Sequence, residues 1–137
     1  MHNININRNS RLFFFQYIFQ RDYSMDTNLD EFMKSNLKKS AFNKKKMRDL
    51  FESYSTNIDL IKSLCIESES EKYNKVSVFL LRSFFSEFLL LPKRQKILMN
   101  EYIEISKNFL TKQEVGYFNH LLDKILKKYL ENKFKIE

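Results

Sequence analysis

Apolar residues recur at intervals of three and four along almost the whole chain, the spacing of one face of an α-helix. The cleanest run is Met47, Phe51, Tyr54, Ile58, Ile61 and Cys65, with steps of 4, 3, 4, 3 and 4. It passes unbroken through Ser55-Thr56-Asn57 and predicts one long helix from about residue 43 to 67. Ahead of it, residues 8–21 predict a helix that is aromatic on nearly every side, with Asn9, Gln16 and Gln20 as its polar stripe. A weaker amphipathic helix over 26–39 would turn Leu29, Phe32, Met33 and Leu37 inward. Ser68 and Glu71 have the S-x-x-E spacing of a capping box and would open a helix running to about residue 91. That segment is apolar almost all round, the mark of a central buried helix. Its few polar residues, Arg82, Ser83, Ser86 and Glu87, fall on one stripe. Pro92 suits the first turn of the next helix, where a missing N–H costs nothing. There Leu98, Tyr102, Ile105 and Phe109 face inward, and Asn100 and Glu101 lie in mid-helix, where neither can be a cap. Thr111 and Glu114 repeat the capping-box spacing ahead of a last helix with Val115, Phe118, Leu122, Ile125 and Tyr129 inward.

Composition narrows this to an all-α fold. Sheets need turns, and turns lean on glycine and proline, yet the chain has one of each, Gly116 and Pro92. We expect a compact bundle of six or seven helices forming a single domain over 1–137, large enough for its own core. A hydrophobic fraction of 43% excludes a disordered chain. The segment 12–19 is interrupted by Gln16 and followed by Gln20-Arg21-Asp22, and 78–91 contains Arg82 and Glu87, so neither reads as a signal peptide or a membrane span. Cys65 is the only cysteine, which excludes an intrachain disulfide and a thiolate zinc site and fits a reducing cytoplasm. On the apolar seam of its helix, Cys65 reads as a small buried hydrophobe. There is no H-E-x-x-H, no glycine-rich phosphate loop and no G-x-S-x-G, so no enzymatic activity, cofactor or metal is expected.

Charge adds a direction without deciding it. A net charge of +7 has the sign of a nucleic-acid binder. The abundance of Lys, Asn, Ile, Phe and Tyr reads equally well as AT-rich coding, and only six of the 24 basic residues are arginine, the better phosphate fork. Glu101 borders the inward seam of its helix and needs a cationic partner there; Arg82, on the central helix, is the expected one.

Five segments in order carry a family resemblance: RLFFFQYIFQ (11–20), RDLFESYSTNIDLI (48–61), LLRSFFSEF (80–88), ILMNEYIEISKNF (97–109) and GYFNHLLDKI (116–125). Together they resemble the NusB family of transcription antitermination factors over roughly residues 8–130. The resemblance implies an all-helical RNA-binding protein that pairs with a small-subunit ribosomal protein (the NusE role). The two bind boxA RNA in ribosomal transcripts and help to load an antitermination complex on RNA polymerase. By position, the implied RNA-binding residues are Arg8, Arg11, Phe19, Gln20, Tyr117 and Asn119, with Glu87 contacting the basic ribosomal partner. Arginine forks on phosphates and rings stacked on unpaired bases suit such a surface. For Phe19 an ordinary core position is the competing reading. Three positions depart from the family pattern: the N-terminal arginines are thinned to NRNSR, His120 follows Asn119 in place of Gly, and position 19 is Phe rather than Tyr. The alternative function is a protein-interaction module that keeps the ribosomal-protein contact without reading RNA sequence. The same helical domain also occurs fused to RNA cytosine methyltransferases; with no methyltransferase segment among these residues, that activity is not expected.

Overall fold

Twelve consecutive residues, Ser77–Phe88, are all buried, and the other helices are wrapped around them. The computed structural model describes residues 2–23, 28–36, 40–66 and 74–136. Its elements are α1 (His2–Tyr23), α2 (Leu29–Asn36), α3 (Lys44–Thr56), α4 (Ile58–Leu64), α5 (Lys75–Leu90), a 3₁₀ turn at Pro92–Arg94, α6 (Gln95–Ser106) and α7 (Lys112–Ile136). Among the described residues there is no strand. α1, α3, α4 and α6 all pack on α5, and α7 packs on α6. Tyr129 of α7 closes the core by meeting Phe85 and Phe88 at 6.4 and 5.9 Å between ring centroids.

A helix buried on every side must satisfy its own polar groups. Ser83 and Ser86 do so by donating to the carbonyls of Phe79 and Arg82, one turn back, at 2.9 and 2.8 Å. The Ser86 carbonyl in turn accepts from the Ser53 hydroxyl at 2.7 Å, which pins α3 to α5.

The seam from Met47 to Cys65 is real: Met47, Ile61 and Cys65 are buried and Phe51 and Tyr54 pack against them. The single helix expected over 43–67 is nevertheless two. It breaks at Asn57 (φ −106°, ψ 20°), whose side-chain amide and backbone N–H both donate to the Ser53 carbonyl at 2.9 Å. An asparagine that bonds its own backbone competes with the helical ladder, and a one-residue break leaves the apolar face in register. α5 begins later than expected, capped by Asn74, whose side chain accepts from the Ser77 N–H at 2.9 Å. The Ser68–Glu71 capping box lies outside the described residues, as does Leu37. α6 ends at Ser106, so Phe109 leaves the inward seam and is 40% exposed, while Leu110 takes the buried position.

The capping box at the start of α7 forms as expected. Thr111 Oγ1 accepts from the Glu114 N–H at 3.2 Å, and Glu114 Oε1 accepts from the Thr111 N–H at 2.9 Å. Those hydrogen bonds hold the Glu114 carboxyl below its ordinary range. We expect Thr111→Ala to lower unfolding stability by about 1 kcal/mol, the usual worth of an N-cap. A urea titration with an unchanged midpoint would contradict this.

Candidate nucleic-acid interface

The two ends of α1 hold two different constellations. At its start, charged residues from four helices converge. Glu87 of α5 is fully buried and accepts from Arg11 Nε and Nη2 at 2.8 and 3.0 Å, from Lys46 Nζ of α3 at 2.7 Å, and from the Tyr102 hydroxyl of α6 at 3.0 Å. Glu101 of α6 accepts from Arg11 Nη1 at 3.2 Å and from Arg8 Nε and Nη2 at 3.3 and 2.6 Å. Burial pushes the Glu87 carboxyl up, but the two hydrogen bonds and charge of Arg11, joined by Lys46, outweigh it and hold the group below its ordinary value. Burial and the Glu87 charge push the Tyr102 hydroxyl well above its usual range. Burial also works against the charge on Arg11, and its bonds to Glu87 more than restore it.

This geometry revises three sequence-based expectations. Glu101 is braced by Arg8 and Arg11, not by Arg82. Arg82 donates to the Tyr54 hydroxyl at 3.3 Å and lies over the Phe79 ring. It shares a cleft with Ile18, Arg21 and Asp22, whereas Glu101 meets α1 at Arg8 and Arg11. The ten residues from Arg11 to Arg21 put those points about 15 Å apart along the helix. Arg11 is only 6% exposed, so it serves as a buried brace rather than as a phosphate fork on the surface. Glu87 is equally withdrawn, and its carboxylate is committed to Arg11, Lys46 and Tyr102 rather than presented to a partner protein. Arg8 differs: its side chain is 41% exposed, and it can present charge outward while holding Glu101.

At the other end of α1, aromatic rings form a partly open shelf. Phe15 is buried and meets Phe19 on one side and Phe109 on the other, with centroids 5.9 and 5.3 Å away. Phe19 is half-buried, its ring also touching Phe79 at 5.5 Å, with Lys75 Nζ 5.8 Å from its centroid. Lys75 is paired with Asp22 at 2.5 Å, and its neighbour Asn74 donates to Glu114 of α7 at 2.8 Å. These contacts gather the end of α1 and the start of α7 at the N-terminal end of α5. Gln20 on α1 and Asn119 on α7 are exposed, and Tyr117 is half-buried with its hydroxyl accepting from Gln113 at 2.7 Å. The seam reading of α7 separates these roles as expected, since Phe118 is buried and Tyr117 is not. Arg8 stands apart, twelve residues or about 18 Å from Gln20 along α1.

Sequence reasoning missed Phe109 and Lys46. Phe109 fits the inward period only if α6 runs past Ser106. Lys46 sits beside the apolar Met47 with nothing local to show that it reaches Glu87. Among the described residues, no group of three His, Cys, Asp or Glu side chains could hold a metal, and no helix is long and apolar enough to cross a membrane.

No protein-family model matches the chain. It is 30% identical to the transcription antitermination protein NusB of Rickettsia bellii over 106 residues, covering 75% of this chain and 67% of that protein. To the NusB of Rickettsia massiliae it is 28% identical over 113 residues, covering 81% and 72%. A solved structure of T. maritima NusB superposes with a TM-score of 0.70 at 24% identity, covering 88% of this chain and 89% of that one, which establishes a shared fold.

Proposed function

As this chain belongs to the NusB family of transcription antitermination proteins, we propose that it acts in antitermination as an RNA-binding factor. Its ligand is boxA-type RNA of ribosomal transcripts, bound in the cytoplasm together with a small-subunit ribosomal protein in the NusE role. The observation that supports this reading best is the shelf at the N-terminal end of α5. There Phe19, next to Gln20 in sequence, lies beside Lys75, and the bond from Asn74 to Glu114 brings in the start of α7, the helix that carries Tyr117 and Asn119. Partly open rings with amide side chains nearby can stack on unpaired bases and bond their edges. The proposal extends to assembly with the RNA polymerase antitermination complex.

Retardation of a boxA-bearing RNA against a scrambled one, with and without the ribosomal protein, tests it. Preferential binding of the boxA RNA is expected; equal binding of both, even with the partner present, would sink the proposal. A second reading, a protein-interaction module without sequence-specific RNA binding, draws on the burial of Arg11, which leaves the thinned N-terminus with fewer phosphate forks. The salt dependence of binding separates the arginines. Arg8→Ala is expected to weaken RNA binding and reduce the salt slope by about 1, as loss of one phosphate contact does. An unchanged slope would assign Arg8 to the Glu101 brace alone.

A further inference from the structure

The C-terminal end of α5 carries a second surface that the RNA reading does not use. A groove of about 730 Å³ runs between α3 and the end of α5, with Leu50 and Leu89 in its wall. Leu90 and Leu91 in its lining are 45% and 38% exposed, and Ile97, which lines the hollow at the following turn, is 56% exposed. The turn that links α5 to α6 and the first turn of α6 add three exposed cations, Lys93, Arg94 and Lys96, none in an ion pair among the described residues. Within the groove Lys45 is paired with Asp49 and Lys46 with Glu87, which leaves Glu52 as its one uncompensated charge among the described residues, so the uncompensated positive charge lies on this lip.

We propose that the groove and its cationic lip dock an acidic, aliphatic segment of a partner protein. Charge complementarity selects the acidic side chains, which would pair with Lys93, Arg94 and Lys96, and the exposed leucines and isoleucine select the aliphatic ones. Nucleic acid fits less well. Among the described residues no aromatic ring lines the groove or the lip to stack on a base. A phosphate backbone also carries charge along its whole length past Asp49 and Glu52 on the α3 wall, whereas a protein segment can keep its acidic side chains on the lip and set only aliphatic ones in the groove. A second copy of this chain is disfavoured as well, because a two-fold contact would set one cationic lip against another on a chain of net charge +7. A basic ribosomal protein would meet the same repulsion. The surface is also remote from the shelf, since α5 is 16 residues long and its ends lie about 24 Å apart. Both can be occupied at once.

The test is an NMR titration of the isotope-labelled full chain with a short synthetic peptide of Glu, Asp and Leu. A peptide of Lys and Leu and a single-stranded RNA oligonucleotide run in parallel. The acidic peptide should shift amide signals in 45–57 and 89–97, and binding should become about tenfold weaker in the triple variant Lys93→Glu, Arg94→Glu, Lys96→Glu. All three positions are exposed, so the variant should keep its thermal midpoint and its preference for boxA over scrambled RNA, which separates this surface from the RNA-binding proposal. Equal binding of the lysine peptide, no effect of charge reversal, or shifts lying elsewhere would overturn the inference. So would stronger shifts of these same signals by the RNA, which would reassign the lip to nucleic acid.

Discussion

Replacing Glu87 by alanine is expected to cost about 3–5 kcal/mol of unfolding stability, the range for removing one partner of a buried ion pair. The size follows from what is left behind. Arg11, Lys46 and the Tyr102 hydroxyl all point at this one carboxylate from α1, α3 and α6. Without it, two cations and a phenol face a low-dielectric interior with one bonding partner fewer each. Glu87→Gln, which keeps the shape and one acceptor, should be less damaging. The wild-type protein carries the same effect as acid lability. The Glu87 pKa is lowered in the folded state, so its stabilising contribution is complete above the unfolded glutamate pKa and is lost as pH falls through the lower folded value. Below about pH 4, where an unfolded glutamate binds its proton, the wild type should lose stability more steeply than Glu87→Gln. Parallel urea denaturation curves for the two proteins across that range would show that the brace contributes nothing.

Phe19 should carry the largest single share of RNA affinity. A base stacked on an aromatic face is worth about 1–3 kcal/mol, so Phe19→Ala is expected to weaken boxA binding by about 5- to 150-fold. Because the ring also packs on Phe15 and Phe79, alanine would disturb the fold too. Phe19→Leu separates the effects: it keeps apolar volume, at a cost under about 1.5 kcal/mol, but removes the stacking face. We expect it to retain most of the wild-type thermal midpoint while losing RNA affinity, and Phe19→Tyr to retain both. If Phe19→Leu bound RNA as tightly as wild type, the ring would be core alone. Phe109, on the far side of Phe15, offers a second open ring, and its replacement by leucine should add to the loss.

The roles of the two N-terminal arginines turn on helix register. Arg8 and Arg11 are three residues apart and so share a face of α1, yet one side chain is 41% exposed and the other 8%. That difference is why the salt-slope effect is expected of Arg8 and not of Arg11. It also makes the thinned N-terminus poorer in surface arginine than its sequence suggests. A lysine-rich chain can still hold RNA electrostatically, although lysine lacks the planar fork of arginine.

What the sequence determined by itself was local or periodic. The apolar spacing placed the seam from Met47 to Cys65, the buried α5 and the inward residues of α7, because burial along a helix repeats with the helix period. The Thr111–Glu114 cap was legible because both partners lie within one turn. Ordered motifs were enough for the family. The tertiary structure decided everything that depends on how helices are set against one another. The partner of Glu101 is Arg8, 93 residues away, and that of Glu87 is Arg11, 76 residues away; no spacing rule reaches across such distances. A sequence shows that a carboxylate beside an apolar seam needs a cation. Which cation arrives depends on where α1 crosses α5 and α6, and that crossing gives Arg11 to Glu87 and leaves Arg82 beside Tyr54.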